Sequence, residues 1–373
     1  MSHIFLIDGF GVGGTELNAA RTLEAFTRRD IRVTVVHFQA DGALYDRVAA
    51  SGHPLVHVPV APLWSPRILP RVAGLAAAFR AAQAQVVHSQ DVYSNILGVA
   101  ATRLRRLPIL TSRRWKDEVP RPILTSLNAW AHRHSTLVLP NSGTLTPTLL
   151  REGVRERQIA VHENFIDDAA LVPPRPGEIQ AWRARFGISA NALVVGCVAR
   201  LSRVKRHDVI IDAWTRVIAA IPSARLMLVG DGAERAACEA RVRELDLQSS
   251  VIFTGTLPNS PLPQHVFDVA VLTSENEGFP NTLVEASACG VPLVSTLVGG
   301  VADVLRAGET GLSVPIGDGE ATARAILTLL CDAALRRRLG TAGRQLVAER
   351  FSETAAVQRL LDLYRNPRRS LNQ

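Results

Sequence analysis

The sequence predicts an α/β protein of two domains, each built from alternating β-strands and α-helices. Short apolar runs alternate with longer helical stretches along the chain, which is typical of βαβ units and parallel sheets. A chain of 373 residues is long enough for two such domains. Between the halves, Val172-Pro-Pro-Arg-Pro-Gly177 has the composition of a linker, so we predict a domain boundary around residues 168–178.

The first domain is predicted over residues 1–167 and begins with a strand, Ile4–Asp8, a glycine-rich loop and a helix from Thr15. Three glycines of the loop fit the G-x-G-x-x-G pattern of dinucleotide sites, namely Gly9, Gly11 and Gly14. Such a site also needs an acidic residue at the end of the second strand, predicted over Ile31–Phe38, but Gln39 stands there. We therefore favour a loop that lets a ligand approach the backbone, and the dinucleotide site is the alternative.

Two later strands of this domain end in polar residues that could bind a ligand. His88 ends the strand Gln85–His88, and the strand Pro108–Thr111 leads into Arg113 and Arg114. The carboxyl ends of parallel strands carry ligand contacts, and paired arginines bind anions. We therefore predict that these three side chains contact an anionic acceptor. The alternatives are a core histidine and a solvated loop.

The second domain is predicted over residues 168–350 and repeats the alternation of strands and helices. A strand over Leu193–Arg200 leads through a loop into a helix, Asp208–Ala220. Two further strands follow, Ala224–Val229 and Val251–Gly255, both bounded by glycine. Residues 319–365 are predicted to be mainly helical, with a break near Gly340.

A strand, a tight turn and a helix follow one another in the middle of this domain. The apolar run Val269–Thr273 predicts a buried strand. Gly278 and a nearby proline make the turn, and Asn281 is predicted to cap a helix over Thr282–Cys289. This geometry turns backbone N–H groups and the positive end of a helix toward one point, which favours phosphate binding.

Two glutamates lie along this turn and helix. Glu277 precedes the turn and Glu285 follows eight residues later, about two helical turns, so both face broadly the same side. A carboxylate repels phosphate but suits hydroxyl groups, such as those of a sugar or ribose. The alternative is a surface turn with two solvated glutamates.

Two cationic side chains precede this turn and helix along the chain. Arg200 at a strand end and Lys205 in the following loop are predicted to face a phosphate group, and surface charge is the alternative. No Asp-x-Asp pair lies at a strand end near them. The sequence therefore predicts neither a metal site nor a cofactor, and these side chains with the helix start would stabilise the phosphate charge instead.

Composition restricts the class of protein. The hydrophobic content is 47% and the charged content 20%, as in soluble globular proteins. No apolar run is long enough to span a bilayer, and the first residues lead directly into a strand, so we expect no secretion signal. The four cysteines form no C-x-x-C pair, which argues against zinc and favours a reducing cytosol.

The net charge of +8 is unevenly distributed, since residues 1–167 carry 19 Lys and Arg against 13 Asp and Glu. Arg67, Arg71 and Arg80 lie on a predicted helix over residues 67–84, which could rest on a membrane. We predict an anionic partner for this half, either a membrane surface or an acidic acceptor, and no nucleic acid. A solvated helix, or an arginine-rich genome, is the alternative explanation.

The spacing Glu277-x7-Glu285, followed by Ala286, Cys289-Gly290-Val291-Pro292 and Gly299-Gly300, resembles the retaining GT-B glycosyltransferases of family 4. The resemblance implies two Rossmann-like domains that face each other across a cleft, with residues 351–373 returning to the first domain. It implies a UDP- or GDP-type sugar donor and a glycan or lipid-linked acceptor, with retention and without metal. The expected setting is cell-surface polysaccharide or glycolipid synthesis, in the cytoplasm or at the inner face of the plasma membrane.

The resemblance also implies roles for single residues. Glu277 would contact donor-sugar hydroxyls and act in catalysis with Arg200 and Lys205, and Glu285 would bind the ribose. The other donor-binding residues would be Gly13, Gly14, Gly230, Thr254, Gly255, Leu257, Gly278, Phe279, Asn281 and Thr282. The chain departs from the family at two points, because Thr111-Ser-Arg-Arg114 lacks the histidine that many members carry and Phe165 replaces a glycine.

Three other functions stay open. A GT-B sugar-nucleotide epimerase would share the fold, would need its own acid–base carboxylates and histidine, and would release a free epimer without acceptor. A Rossmann oxidoreductase would depend on the loop glycines alone, and a nicotinamide titration would reveal it. A binding subunit would keep the fold without turnover, and the presence of Glu277, Arg200 and Lys205 argues against it.

Overall fold

The chain divides into two compact units in a computed structural model of the protein. The first unit consists of Met1–Asn164 and Glu353–Gln373, and the second of Phe165–Ser352. The structure describes residues 2–368, except residues 12, 61–62, 64, 66–67, 115–121, 169–171, 173, 176 and 258–262. Arg67 and much of the predicted linker lie outside the described residues.

Six parallel strands form the sheet of the first unit. They are β1 (His3–Ile7), β2 (Thr34–His37), β3 (Leu55–His57), β4 (Val86–Ser89), β5 (Ile109–Arg113) and β6 (Leu137–Pro140). Their order is β3-β2-β1-β4-β5-β6, the doubly wound order whose direction reverses between β1 and β4. Every residue of the central strands β1 and β4 is buried, including His3, His88 and Ser89, because helices cover both faces of such a sheet.

The helices of the first unit run back along the sheet from its carboxyl edge. They are α1 (Gly14–Thr27), α2 (Tyr45–Ala49), α3 (Ile68–Ala81), α4 (Val92–Arg103), α5 (Pro122–His134) and α6 (Thr146–Arg151). The start of α4 is fixed by a capping box, in which Ser94 N donates to Asp91 Oδ1 and Asp91 N donates to Ser94 Oγ. The polar residue that follows β4 therefore has a structural role.

The second unit repeats the same architecture. Its strands are β7 (Val194–Val198), β8 (Arg225–Val229), β9 (Val251–Gly255), β10 (Val269–Leu272), β11 (Leu293–Thr296) and β12 (Gly311–Val314). All are parallel, in the order β12-β11-β10-β7-β8-β9, which reverses between β7 and β10. The predicted α/β class with two Rossmann-like domains is confirmed.

Seven helices of the second unit lie among the described residues. They are α7 (Glu178–Arg185), α8 (His207–Ala220), α9 (Arg235–Glu244), α10 (Asn281–Ala288), α11 (Val301–Val304), α12 (Gly319–Cys331) and α13 (Ala333–Arg350). Trp214 of α8 is fully buried, and its indole N–H donates to Ser250 Oγ at 3.0 Å. Asp318 and Asp332 cap α12 and α13 with their carboxylates.

The last helix, α14 (Glu353–Arg365), belongs to the first unit, where it packs on α1. Glu353 is 2% exposed and pairs with both Arg28 and Arg29 at the end of α1. At the other end of α14, the Tyr364 hydroxyl lies 2.8 Å from His88 Nδ1. Buried charges and hydrogen bonds therefore attach this helix to the rest of the first unit, in addition to its apolar face.

The break predicted near Gly340 is wrong, because Gly340 lies inside α13 and the helices are interrupted at Asp332 and before Glu353 instead. A Cβ atom at this position would overlap the carbonyl oxygen of Gly290. The glycine therefore lets α13 approach the end of α10 closely, and it stays helical because packing outweighs its weak helix propensity.

Candidate active site

The candidate site lies at the carboxyl edge of the second sheet, where the strand order reverses. The loop after β7 carries Arg200 and Lys205, and the loop after β10 carries Glu277. Ligands of doubly wound sheets bind at such a reversal, because the two loops separate there and leave a crevice. The sheet topology thus brings together a candidate carboxylate and two candidate cations that lie far apart in sequence.

The Glu277 carboxylate is enclosed and held on one side only. Its side chain is 6% exposed, and Oε1 accepts hydrogen bonds from Lys205 Nζ and from Ser274 Oγ, each at 2.6 Å. The other oxygen, Oε2, makes no hydrogen bond with the described residues and is not sealed off from solvent. One oxygen of this carboxylate is therefore fixed by protein, and the other is open to a ligand hydroxyl.

The alternative of a solvated glutamate on a surface turn is therefore wrong for Glu277. A carboxylate this enclosed requires charge pairing and hydrogen bonds, and Lys205 and Ser274 supply them. The loop that carries Lys205 is also fixed, since Thr273 Oγ1 donates to Arg206 O at 2.9 Å and Glu275 N donates to Val204 O at 2.9 Å. The ion pair thus joins two loops whose backbones are bonded to each other.

The paired glycines after β11 contact the backbone of the turn that carries Glu277. Gly300 N donates to Gly278 O at 3.0 Å. Gly299 has φ +51°, and a Cβ atom there would overlap the backbone carbonyl of Glu277. The Gly299-Gly300 pair therefore has a geometric reason, because only glycine allows the two loops to touch.

Arg200 is exposed and forms no ion pair with any residue that the structure describes.

The residues predicted to bind the donor at the ends of β8 and β9 are already bonded or packed within the protein. Gly230 N already donates to Gly255 O at 2.9 Å, so this amide is used within the protein. Thr254 donates its hydroxyl to Gly255 O at 2.7 Å, and Leu257 belongs to the buried core. Residues 258–262, which continue this segment, lie outside the described residues.

Glu285 is as enclosed as Glu277, at 6% exposed, and its Oε2 accepts from Gln264 Nε2 at 3.1 Å. Gln264 is itself 1% exposed and lies in a short 3-10 helix, Pro263–Val266. Sequence reasoning missed Gln264 because nothing in its own neighbourhood marks it. It missed Ser274 as well, although a hydroxyl residue just beyond a buried strand was a usable signal.

The start of α10 corrects two predictions. Asn281 is the first residue of the helix and Pro280 precedes it, so Asn281 is not the cap. Its backbone N–H donates to Phe279 O at 3.0 Å and is not offered to a ligand. Phe279 is 8% exposed and packs edge-on against Phe351 with ring centroids 5.5 Å apart. Thr282, the next residue, lies in the first turn of the helix.

The candidate acceptor residues of the first unit are core residues. His88 is 2% exposed, and its ring nitrogens lie 2.8 Å from Tyr364 Oη and 3.1 Å from Ser112 Oγ. Burial lowers the pKa of His88 well below its ordinary value, so the ring is neutral. Arg113 is also 2% exposed and pairs with Glu152 at 3.0 Å. Both side chains are thus buried and bonded within the first unit, which favours the core-histidine alternative for His88, and their contact with an acceptor stays a prediction.

Arg114 is 5% exposed and lies between two amide oxygens. It donates to Gln90 Oε1 at 2.8 Å and to Asn164 Oδ1 at 2.9 Å. A guanidinium enclosed in this way organises the carboxyl edge of the first sheet, and it does not face an anionic acceptor in the surrounding solvent. Trp115 and Lys116 of the same loop lie outside the described residues.

The glycine-rich loop of the first unit is surrounded by carboxyl groups. Gly13 precedes α1 with extended backbone and Gly14 is the first helical residue, next to Glu16. Asp91 Oδ2 accepts from Asp8 N at 2.8 Å. Burial, together with the Asp8 carboxylate, raises the pKa of the Asp91 carboxyl to about 7. Burial also raises the pKa of Asp8. These acids disfavour a pyrophosphate at this loop, which weakens the dinucleotide alternative.

No group of three His, Cys, Asp or Glu side chains among the described residues is placed to hold a metal ion. All four cysteines are free thiols.

Two protein-family models match the chain. The model described as glycosyltransferase family 4 matches residues 12–170, and the model described as glycosyl transferases group 1 matches residues 178–346. Together they take in both units, and the second includes every charged residue of the candidate site.

Individual proteins are similar as well. The N-acetyl-alpha-D-glucosaminyl L-malate synthase of Bacillus anthracis is 31% identical over 201 residues, 54% of this chain and 52% of that protein. The 2-deoxystreptamine glucosyltransferase of Streptomyces kanamyceticus is 28% identical over 268 residues, 70% and 69% of the two chains. The match thus spans about half the length of the first relative. A crystal structure of Anabaena Alr3699/HepE in complex with UDP shares the fold, with a TM-score of 0.86 at 23% identity, over 98% of this chain and 100% of that one.

Proposed function

The chain belongs to the GT-B glycosyltransferases of family 4, and from that membership we propose that it transfers a sugar from a nucleotide-sugar donor to a glycan or lipid-linked acceptor, with retention. The observation that carries the proposal is the Glu277 carboxylate, in which one oxygen accepts hydrogen bonds from the protein and the other does not. Lys205 and Ser274 fix Oε1, while Oε2 is left for a sugar hydroxyl. A carboxylate oxygen held ready in an enclosed site is a strong acceptor for a hydroxyl donor.

The cations suit the departure of a diphosphate. Glycosyl transfer develops negative charge on the leaving phosphate, and preorganised cations lower the barrier by stabilising that charge. The Lys205 ammonium has three N–H donors, of which the ion pair with Glu277 uses one. Arg200 is exposed at the same sheet edge and adds a forked donor. We assign the phosphate to these two side chains and the sugar to Glu277, with Glu285 and Gln264 serving the ribose.

The donor class is proposed from the relatives. The neighbouring Anabaena structure contains UDP, and one relative is named a glucosyltransferase, so UDP-sugars are the first donors to test and GDP-sugars the second. A thermal-shift panel of UDP-, GDP-, ADP- and CMP-sugars tests the proposal. A donor at 100 times its dissociation constant should stabilise the fold by about 2.7 kcal/mol. No shift with any sugar nucleotide, together with a shift with a nicotinamide dinucleotide, would overturn it in favour of an oxidoreductase.

Transfer is expected to survive chelation. Side chains supply the positive charge at the proposed site, so the leaving phosphate needs no divalent ion. Wild-type turnover in excess EDTA should stay within about twofold of turnover without it. Loss of activity on chelation, restored by Mg²⁺ or Mn²⁺, would show that the phosphate charge is stabilised by a metal.

We also propose that the first unit touches an anionic membrane surface at the cytoplasmic side. Leu69 and Ile123 are 74% and 75% exposed in the first turns of α3 and α5. Both helices pack against α4 and begin at the carboxyl edge of the sheet, so these side chains lie at one edge. No helix among the described residues is both long and apolar enough to cross a bilayer. Contact would therefore be peripheral.

The double variant Leu69→Asp, Ile123→Asp should reduce cosedimentation with anionic vesicles at low salt by about tenfold or more, since it replaces two apolar side chains that would enter the bilayer interface with charged ones. Leu104→Asp is the matched control. Leu104 is 66% exposed, but it follows the end of α4 at the opposite edge of the sheet. Equal recovery of the wild type with anionic and neutral vesicles would exclude the membrane contact.

A further inference from the structure

Ser274 is a buried hydroxyl residue at the candidate site, and the roles proposed above give it no task. It is 0% exposed and lies two residues beyond the end of β10. Its hydroxyl donates to Glu277 Oε1 at 2.6 Å, across the turn that leads to the glutamate. A short hydrogen bond between a buried hydroxyl and a carboxylate is among the stronger hydrogen bonds in proteins.

The backbone of Ser274 is fixed from the neighbouring strand. Thr296, the last residue of β11, donates its hydroxyl to Ser274 O at 2.6 Å and is itself fully buried. The contact to Glu277 therefore starts from a rigid strand end. By contrast, Lys205 ends a short 3-10 turn whose backbone is anchored, but its own side chain is long, flexible and 21% exposed. The two side chains that donate to Oε1 therefore differ in rigidity, and that of Ser274 is the more rigid.

The two donors also differ in what else they must do. Lys205 is assigned to the leaving phosphate as well, so its attraction to Glu277 weakens when it turns toward that charge. The Ser274 hydroxyl can donate a single hydrogen bond, and Glu277 Oε1 accepts it. Ser274 can thus keep Oε1 in place while Lys205 moves, and the orientation of Oε2 toward the sugar is preserved during the reaction.

We propose that Ser274 is a positioning residue, which holds Oε1 of Glu277 so that Oε2 faces the donor sugar while Lys205 serves the leaving phosphate. The inference rests on the proposed function, because it takes Glu277 as the group that contacts the sugar. Ser274 acts only through Glu277. Removal of the Ser274 hydroxyl should therefore lower the rate of the reaction and leave the affinity for the nucleotide unchanged.

Ser274→Ala is expected to lower kcat by about 10- to 100-fold and to change KM for the nucleotide sugar by less than about threefold. Ser274→Thr, which keeps the hydroxyl, should recover part of the loss. Ser295→Ala is the matched control. Ser295 is also 0% exposed at the end of the next strand, but its hydroxyl donates to Leu272 O and not to a site residue.

A double-mutant cycle distinguishes positioning from general stabilisation. In a Glu277→Gln background, Ser274→Ala should lower kcat by less than about twofold further, because the group it positions is already changed. If Ser274→Ala does not fold, Ser274→Cys gives the same cycle with a near-isosteric, weaker donor.

The possible failures are distinguishable. A folded Ser274→Ala protein with wild-type kcat, or losses that multiply fully in the double variant, would overturn the inference and leave the proposed function intact. A wild-type protein that turns over none of the nucleotide sugars would instead overturn the proposed function, and this inference with it.

Discussion

Glu277→Gln should lower kcat by about 10²-fold or more and leave KM for the donor nearly unchanged. The amide has the size of the carboxylate but no charge, so it fits the enclosed site and weakens the hydrogen bond that Oε2 would make with the sugar. A contact that strengthens as the glycosidic bond breaks lowers the rate constant of the reaction and not the affinity for the donor. Steady-state kinetics with the donor varied measures both quantities.

Glu285→Gln is the matched comparison, because both glutamates are 6% exposed and belong to the same stretch. Its oxygen already accepts from Gln264, and its proposed partner is the ribose, away from the reacting atoms. We expect this variant mainly to weaken donor binding, by about 1–3 kcal/mol for a lost charged hydrogen bond. If Glu277→Gln keeps its kcat while Glu285→Gln loses it, the two roles are reversed. If neither parameter changes in either variant, the stretch is not the site.

Lys205→Ala should reduce kcat/KM by about 10²-fold or more, and Arg200→Ala should act in the same direction. Loss of the Lys205 ammonium removes positive charge from the leaving phosphate. It also leaves the enclosed Glu277 carboxylate with Ser274 as its remaining donor at Oε1. We therefore expect a loss of about 1–3 kcal/mol in the free energy of unfolding for Lys205→Ala, and almost none for the exposed Arg200.

Arg203→Ala is the control for this prediction. Arg203 lies in the same short 3-10 turn as Lys205, but its side chain is exposed and takes no part in the ion pair with Glu277. It should retain turnover within about twofold of the wild type. Lys205→Arg keeps the charge and should recover part of the activity. Wild-type turnover in a folded double variant of Arg200 and Lys205 would remove both residues from the reaction.

The fold could be predicted from the sequence because its signals are local. Runs such as Val269–Leu272 are apolar over their whole length, and parallel strands covered on both faces need that. Arg200 and Glu277 could be selected as candidate site residues as well, since both follow such runs. The pairing of Lys205 with Glu277 could not, because it depends on which strands become neighbours.

Burial, which is a tertiary property, could not be predicted from the sequence. His88 and Arg113 follow or end strands, as ligand contacts often do, but α14 and Glu152 cover them. Gly340 resembles a helix break in sequence, and only the proximity of Gly290 explains its place inside α13. Gln264 was missed for the same reason, since its partner Glu285 lies far along the chain.

A crystal structure of the protein with the best nucleotide sugar from the thermal-shift panel tests the central claim most directly. The account predicts the diphosphate against Lys205 and Arg200, a sugar hydroxyl within hydrogen-bond distance of Glu277 Oε2, and the ribose at Glu285. Ser274 should still donate to Glu277 Oε1. A nucleotide bound instead at the Gly9–Gly14 loop of the first unit, with Glu277 Oε2 facing solvent, would contradict it.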